Sequence, residues 1–124
     1  MAITRYAAVG AVATACHYGA LLIAVERWGV TPSVASFVAA LLGACVAYEG
    51  NRHLTFQAHT APQRQAIPRF AATAMGAAVL HGAMVGTSDT LGVPYLTMQG
   101  VATVTVMFLT YEINRRWTFA ARTD

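Results

Sequence analysis

Four long uncharged runs constrain the fold of this chain more than any other feature. They cover residues 6–25, 30–48, 70–88 and 90–111. A helix that rises about 1.5 Å per residue needs about 20 residues to cross a hydrocarbon core of about 30 Å. A chain inside a bilayer must satisfy its own backbone hydrogen bonds, and helix is the conformation that does so for such runs. The sequence therefore predicts an all-α integral membrane protein with four transmembrane helices.

The composition agrees with this class and excludes a soluble domain. Of 124 residues, 56% are hydrophobic and 10% are charged, whereas a soluble domain carries about 25% charged residues. A chain of this length forms one domain at most. The net charge of +3 comes from arginine, since the chain has no lysine. The arginines stand singly between apolar runs, which favours membrane lipids over nucleic acid as partners.

An internal repeat relates the two halves of the chain. Residues 48–56, Tyr-Glu-Gly-Asn-Arg-His-Leu-Thr-Phe, and residues 111–119, Tyr-Glu-Ile-Asn-Arg-Arg-Trp-Thr-Phe, share six residue types at an offset of 63. Arg5-Tyr6 matches Arg69-Phe70 at an offset of 64, as His17 matches His81. We predict one membrane domain over residues 1–124, with repeat 1 at 5–56, a cytoplasmic loop at 57–68 and repeat 2 at 69–119. Each repeat would form a helical hairpin, and because each holds two spans, the two hairpins would be parallel repeats with the same orientation.

The distribution of arginine predicts the orientation in the membrane. Of the eight arginines, Arg27 alone falls in an outer loop, whereas seven fall in the N-terminus, the 51–69 segment or the C-terminus. By the positive-inside rule, both termini and the middle loop lie in the cytoplasm. We therefore expect a multi-pass protein of the cytoplasmic (inner) membrane. The same bias argues against insertion in both orientations. The first run is longer than the apolar core of an ordinary signal peptide and has a counterpart in repeat 2, so we take it as part of the mature chain.

Each copy of the nine-residue motif places a carboxylate, an amide and a guanidinium at one helix end. Glu49 and Glu112 precede Arg52 and Arg115 by one helical turn, so each pair can form a local ion pair at the membrane surface. The alternative is substrate binding, because a guanidinium binds a phosphate through two hydrogen bonds and stays charged. On that interpretation, a ring of donors at one membrane face consists of Asn51, Arg52, Asn114, Arg115, Arg5 and Arg69.

Two histidines lie near the middle of the predicted spans. His17 and His81 are about eleven residues inside the cytoplasmic helix ends, which is close to mid-membrane at about 1.5 Å per residue. One interpretation is a neutral imidazole that is hydrogen-bonded across helices, and the other is a proton or substrate relay between two equivalent sites. Both histidines are included among the predicted substrate-binding residues, as are the two tyrosines that open the motif copies, Tyr48 and Tyr111. Aromatic residues near the helix ends fit an interfacial belt, namely Trp28, Trp117, Tyr6, Tyr111, Phe56 and Phe119.

The sequence does not indicate an enzyme. It has no phosphate-binding glycine loop and no nucleophile beside a base, and we expect no catalytic residue, cofactor or metal. Cys16 and Cys45 sit at different depths and are interpreted as small packing residues, not as a disulfide or metal pair. Small-residue pairs on the second and third runs permit close helix approach, within the monomer or at a dimer face. These pairs are Ala39 with Gly43 and Gly82 with Gly86.

The whole chain resembles the GtrA-like family of small four-span membrane proteins. The family's mark is an Asn-Arg-x-aromatic-x-Phe ending of the second and fourth spans. Residues 114–119 fit this pattern well, and residues 51–56 fit with one departure, since Leu54 stands where an aromatic is usual. The initial pairs Arg5-Tyr6 and Arg69-Phe70 also resemble the family. The resemblance implies that Asn51, Arg52, Asn114 and Arg115 matter most, whereas roles for Glu49 and Glu112 are inferred from this sequence alone.

The resemblance implies movement of polyprenyl-phosphate-linked sugars across the cytoplasmic membrane for cell-surface polysaccharide, often beside a membrane glycosyltransferase. We therefore expect a flippase in which cytoplasmic arginines capture the lipid phosphate. Without a visible ATP site, movement would be downhill or ion-coupled. Four helices form a thin pathway for a sugar, which favours a homo-oligomer such as a dimer. The alternatives are a non-transporting adaptor that recruits a glycosyltransferase and, third, a small multidrug-type exporter, which would need an acid deep in the membrane.

Overall fold

Four long helices dominate the fold. A computed structural model describes residues 2–55 and 62–120, and the described residues form the α-helices α1 Ala2–Leu22, α2 Pro32–Gly50, α3 Gln63–Gly86, α4 Ser88–Leu91 and α5 Tyr95–Ile113. Three π-helical turns extend α1, α2 and α5, at Ile23–Arg27, Asn51–Thr55 and Asn114–Thr118. Four helical segments are long and apolar enough to cross a membrane, namely Ile3–Arg27, Pro32–Thr55, Gln63–Leu91 and Tyr95–Thr118. The predicted all-helical class with four candidate spans is confirmed.

The two short connections, before α2 and before α5, share the same local chemistry. Gly29 and Gly92 both have positive φ, at 66° and 65°, a conformation that glycine adopts without steric cost. Pro32 is the first residue of α2, and Pro94 directly precedes α5, positions at which the fixed φ of proline suits a helix start. The fourth span consequently begins at Tyr95 and not at Thr90, where the uncharged run begins. Residues 88–91 instead form the separate short helix α4.

The third helix starts earlier than the sequence predicts. It begins at Gln63, inside the segment predicted as the 57–68 loop, and it contains Pro68. Ala66 is fully buried and packs in one cluster with Tyr48 and Phe119. This burial stabilises the added turn, although Pro68 lacks the N–H of a regular helical residue. Some predictions fall on residues outside the described part of the chain. These are residues 57–61 of the predicted loop, Phe56 of the predicted aromatic belt, and Arg122 of the arginine set that predicts the orientation.

Small residues set the close helix contacts. A Cβ placed on Gly43 of α2 would lie 3.1 Å from the carbonyl oxygen of Ala13 on α1, and one on Gly82 of α3 would lie 3.3 Å from the carbonyl oxygen of Ser33 on α2. Gly86 faces the same serine. Both predicted small-residue pairs therefore serve packing within the monomer, through the close backbone approach that small residues allow.

The outer surface of the bundle is apolar. Large hydrophobic side chains on every long helix are half exposed or more, among them Val12 on α1, Val38 on α2, Val79 on α3 and Phe108 on α5. A monomeric soluble protein does not present such a continuous apolar face to water. Hydrocarbon, by contrast, solvates these side chains well, so this surface fits a lipid-facing role for all four candidate spans.

Candidate functional site

Both copies of the Asn-Arg motif form π-helical turns. Asn51–Thr55 ends the second span and Asn114–Thr118 ends the fourth. In each turn the asparagine and the threonine point inward and are buried, with Asn51 and Asn114 both 2% exposed. Thr55 Oγ1 donates a hydrogen bond of 3.0 Å to Asn51 Oδ1, whereas the Oδ1 atom of Asn114 and the Oγ1 atom of Thr118 are buried without a hydrogen-bond partner. π-helical turns of this kind occur often at functional sites, and the sequence pattern did not predict them.

The carboxylates of the motif contact basic residues on the outside of these turns. Glu112 Oε2 lies 3.0 Å from Arg115 Nη2 and 2.7 Å from Arg116 Nε, so one carboxylate holds two guanidinium groups. In the first copy, Glu49 Oε2 lies 3.3 Å from His53 Nε2. The predicted local pair of Glu112 with Arg115 is present. Because these side chains are between 46% and 73% exposed, each such pair contributes little to stability.

The arginines at the start of the first and third spans contact the ends of their neighbouring helices. Arg5 Nη1 lies 3.4 Å from the Leu54 carbonyl oxygen, and Arg69 Nη1 donates to the Trp117 carbonyl oxygen at 2.8 Å. Leu54 and Trp117 occupy the same position of the two motif copies. Cations at a helix C-terminus stabilise its unpaired carbonyl groups. Arg5 and Arg69 therefore orient the motif turns, which is a role that the sequence did not reveal.

Tyrosines of the motif pack in matching aromatic pairs. Tyr111 meets Tyr6 with ring centroids 5.0 Å apart, and Tyr48 meets Phe70 at 4.9 Å, both edge to face. This geometry is the one that aromatic pairs prefer. Tyr6 and Phe119, predicted as belt residues, are buried between helices instead, because their rings fill the space between the converging helix ends. Trp28 and Trp117 are exposed, as a belt position requires.

The two histidines meet in the middle of the bundle. Their ring centroids are 4.7 Å apart, and both residues are buried. Gln99 Nε2 lies 3.0 Å from His17 Nε2, and Gln99 Oε1 accepts a hydrogen bond of 2.7 Å from Ser36 Oγ. An amide nitrogen can only donate, so His17 Nε2 acts as the acceptor and the ring is neutral in this arrangement. This matches the interpretation of a neutral imidazole that is hydrogen-bonded across helices.

Gln99 and Ser36 are the residues that sequence reasoning missed. Both are fully buried, and both are polar side chains inside long uncharged runs, where a polar group needs a partner. They are 63 positions apart, which is the offset of the motif copies. That coincidence is the signal that could have identified them.

A central cavity joins the histidines to the motif asparagines. It has a volume of about 480 Å³, and residues of all four long helices line it. His17 and His81 lie at the inner end and Asn51 and Asn114 at the motif end, while most of the remaining wall is small, as at Gly43. Two of the lining residues therefore carry a buried polar atom without a hydrogen-bond partner, Oδ1 of Asn114 and Nδ1 of His81.

Of the predicted site residues, the cavity brings together four. These are the two histidines and the two asparagines. Glu112, Arg115 and Glu49 lie on the exposed outside of the motif turns, and Tyr48 is buried in the aromatic cluster. Cys16 is half-buried, Cys45 is exposed, and both thiols are free.

The fold and the cavity define the class of this protein. It is a small all-helical protein with four candidate membrane spans around a central cavity. The chain belongs to the family described as GtrA/DPMS, transmembrane domain, whose model matches residues 5–119. The resemblance noted from the Asn-Arg motifs is therefore confirmed. A search of curated proteins found no match to this chain, and a search of solved structures found none either. The family points to the handling of lipid-linked sugars.

Proposed function

We propose that this protein translocates a polyprenyl-phosphate-linked sugar across the cytoplasmic membrane for synthesis of a cell-surface polysaccharide or other glycan. The central cavity carries this proposal. Its volume of about 480 Å³ falls in the range of about 300–1,000 Å³ that is typical of small-molecule sites. It runs from the motif turns to the middle of the bundle. An unpartnered polar atom belongs to a lining residue at each end, Asn114 Oδ1 and His81 Nδ1, and a sugar hydroxyl can supply the missing partner.

The proposed route uses the cavity for the sugar and the outer surface for the lipid. Both termini and the 57–68 segment lie in the cytoplasm, and the two parallel hairpins present their motif turns there. Arg52 and Arg115 bind the lipid phosphate at this face, with Arg5 and Arg69 beside them. Asn51 and Asn114 then contact the sugar at the mouth of the cavity. His17 and His81 offer contacts at mid-membrane, where a buried polar group without a partner is costly.

The cavity argues against the multidrug-exporter alternative. Such an exporter binds cations and needs an acidic side chain in the membrane interior. Among the residues that line the cavity in the described part of the chain, none is a carboxylate. Glu112 lies outside the cavity and is already paired with two arginines. A neutral cavity below a ring of arginines suits a ligand with a neutral sugar and an anionic phosphate.

A reconstituted system tests the proposal directly. Purified protein in liposomes is given a short-chain polyprenyl-phosphate sugar, and its translocation is measured. The wild type is compared with the double variant Arg52→Ala with Arg115→Ala. Arg27→Ala, at the opposite helix ends, is the matched control. We expect the double variant to lose translocation and the control to retain it, with both folded. If the wild type moves no lipid-linked sugar, the proposal is contradicted. A pull-down that then recovers a membrane glycosyltransferase would support the adaptor function.

A further inference from the structure

Two helix–helix interfaces join repeat 1 to repeat 2, one between α2 and α3 and one between α1 and α5. We call them seams. The internal repeat relates the two seams to each other, but they differ in packing and chemistry. The first seam, between α2 and α3, is closed by close packing along the helices. Ser33 Oγ donates a hydrogen bond of 3.0 Å to the Gly82 carbonyl oxygen, and a Cβ on Gly82 or Gly86 would lie within 3.4 Å of this serine. Separating α2 from α3 would break this whole interface.

The second seam, between α1 and α5, is held together differently. The two helices approach each other at few positions. Three side-chain hydrogen bonds bridge them. Two are tyrosine–threonine bonds, Tyr6 Oη with Thr110 Oγ1 at 2.6 Å and Tyr18 Oη with Thr103 Oγ1 at 2.9 Å, and the third joins Gln99 to His17 at the inner end of the cavity. In the α2–α3 seam, the repeat equivalents of the two tyrosine–threonine pairs are Phe70 with Ala47 and Gly82 with Ala40, whose side chains cannot form such bonds. The two seams have therefore diverged in chemistry as well as in spacing.

The central cavity reaches the surface along the α1–α5 seam. Ala7, Ala11 and Thr14 of α1 line the cavity, yet the two alanines are exposed and Thr14 is half-buried. With Tyr18, these residues recur at helical spacing and form one stripe that faces α5. A Cβ on Gly10, which also lines the cavity, would meet nothing within 4 Å. The repeat equivalent of Thr14 in the other seam is Ala78, which is fully buried.

We propose that the α1–α5 seam is the lateral entry site for the head group of a lipid-attached sugar, with the hydroxyls of Tyr6 and Tyr18 as its first hydrogen-bonding contacts. This inference rests on the proposed function and names the route into its cavity. A head group that stays attached to its lipid must enter from the side, since the tail remains in the hydrocarbon. The α1–α5 seam is the one of the two whose opening breaks side-chain contacts, chiefly hydrogen bonds, instead of a packed backbone interface.

The energetics favour exchange at this seam. A hydroxyl left without a partner in an apolar environment is costly, so the two tyrosine–threonine bonds help to keep the seam closed in the absence of ligand. Sugar hydroxyls and phosphate oxygens are hydrogen-bonding groups that can replace the threonine as a partner. The tyrosines then lose no bond when the seam opens. An alkyl chain alone offers no such replacement, which makes the entry selective for lipids with a polar head.

Labelling by a reactive lipid tests the entry site without any transport assay. The background carries Cys16→Ser and Cys45→Ser, so that no native thiol reacts. The liposomes contain phosphatidylethanolamine with a maleimide on its head group, and the labelling rate of Thr14→Cys is compared with that of Ala78→Cys. We expect Thr14→Cys to react several times faster, and the added changes Tyr6→Phe with Tyr18→Phe to accelerate its reaction further. Equal rates, or faster reaction of Ala78→Cys, would overturn the inference. So would reaction of Thr14→Cys with a water-soluble maleimide as fast as with the lipid reagent, since attachment to a lipid then gives no advantage.

Cross-linking across each seam connects the entry site to transport and gives a second comparison should Ala78→Cys fail to fold. A short bismaleimide joins Ala11→Cys to Met107→Cys across the α1–α5 seam, and the repeat-equivalent pair Met75→Cys with Ala44→Cys is the matched control across the α2–α3 seam. We expect the first cross-link to abolish translocation and the second to leave most of it. Translocation that survives the first cross-link would overturn the entry site. Absence of translocation before cross-linking contradicts the proposed function instead, and the labelling result then decides the entry site by itself.

Discussion

Ser36 Oγ donates a hydrogen bond of 2.7 Å to Gln99 Oε1, and the two residues hold the same position in the two halves of the chain, 63 residues apart. The bond joins α2 to α5 in the middle of the bundle. Gln99 extends it to His17 on α1, 3.0 Å away, and His17 stacks edge-on against His81 of α3. One buried polar chain therefore ties all four long helices together at the inner end of the cavity.

Replacing Gln99 by leucine should destabilise the bundle. The change leaves Ser36 and His17 buried without their partner, and hydrogen bonds between membrane helices contribute about 0.6 kcal/mol on average and up to about 1.7 kcal/mol. We expect a loss near the upper value, because two bonds disappear together. Reversible unfolding in mixed micelles, titrated with denaturing detergent, measures it.

The double variant Ser36→Ala with Gln99→Leu provides the control. Removing both partners of a buried hydrogen bond is less costly than removing one, because no serine hydroxyl is then left unpaired. The double variant should therefore be more stable than the sum of the single losses predicts. Strict additivity of the two losses would show that the 2.7 Å bond does not couple the helices.

Much of the fold could be predicted because membrane spanning leaves few alternatives. The uncharged runs identified four helices, which the structure confirms, and the small residues at Gly43 and Gly82 marked close contacts. The helix ends were harder to predict. α3 extends to Gln63 because Ala66 is buried against Tyr48 and Phe119, a contact between distant parts of the chain that no local pattern encodes. The parallel arrangement of two hairpins and the cytoplasmic placement of the termini stay predictions.

The candidate site was only partly predictable, for a physical reason. The sequence marked charged and aromatic residues at helix ends, where their chemistry is conspicuous, and it marked His17 and His81. It did not show that the cavity collects the motif asparagines while Arg115 faces outward to Glu112. Which side of a π-helical turn a residue occupies depends on the backbone geometry, and a regular helical spacing does not predict it.

Two glycines of α3 should respond differently in stability when each is replaced by valine. Gly82→Val should destabilise the protein by about 1–3 kcal/mol, since overpacking a close interface forces the helices apart, and the new side chain would meet Ser33 and Phe37 of α2. Gly76→Val is the matched control on the same helix, where a Cβ meets nothing within 4 Å. Thermal unfolding in detergent compares the two variants. Similar midpoints for both would contradict the packing role of Gly82.

Arg69 should matter more for the end of α5 than Arg5 matters for the end of α2. Arg69 Nη1 donates to the Trp117 carbonyl oxygen at 2.8 Å, whereas the corresponding contact of Arg5 measures 3.4 Å, near the limit of a hydrogen bond. We expect Arg69→Ala to cost about 1 kcal/mol, which is below the range of about 1.5–3 kcal/mol for a charged donor because this bond is exposed. Hydrogen exchange of the backbone amides in residues 114–118 should accelerate in this variant. A comparable acceleration in residues 51–55 of Arg5→Ala would contradict the ranking.

Neutralising Glu112 should strengthen binding of a phosphate lipid. Its carboxylate now holds Arg115 and Arg116, so Glu112→Gln releases both guanidinium groups for a phosphate, and the exposed pairs contribute too little for the fold to suffer. With Trp28→Phe as background, Trp117 is the single tryptophan, and its fluorescence follows titration with a short-chain polyprenyl phosphate. Glu49→Gln, which releases His53, is the matched control and should change the affinity less. Weaker binding by Glu112→Gln would mean that the carboxylate positions Arg115 for the phosphate instead of competing with it.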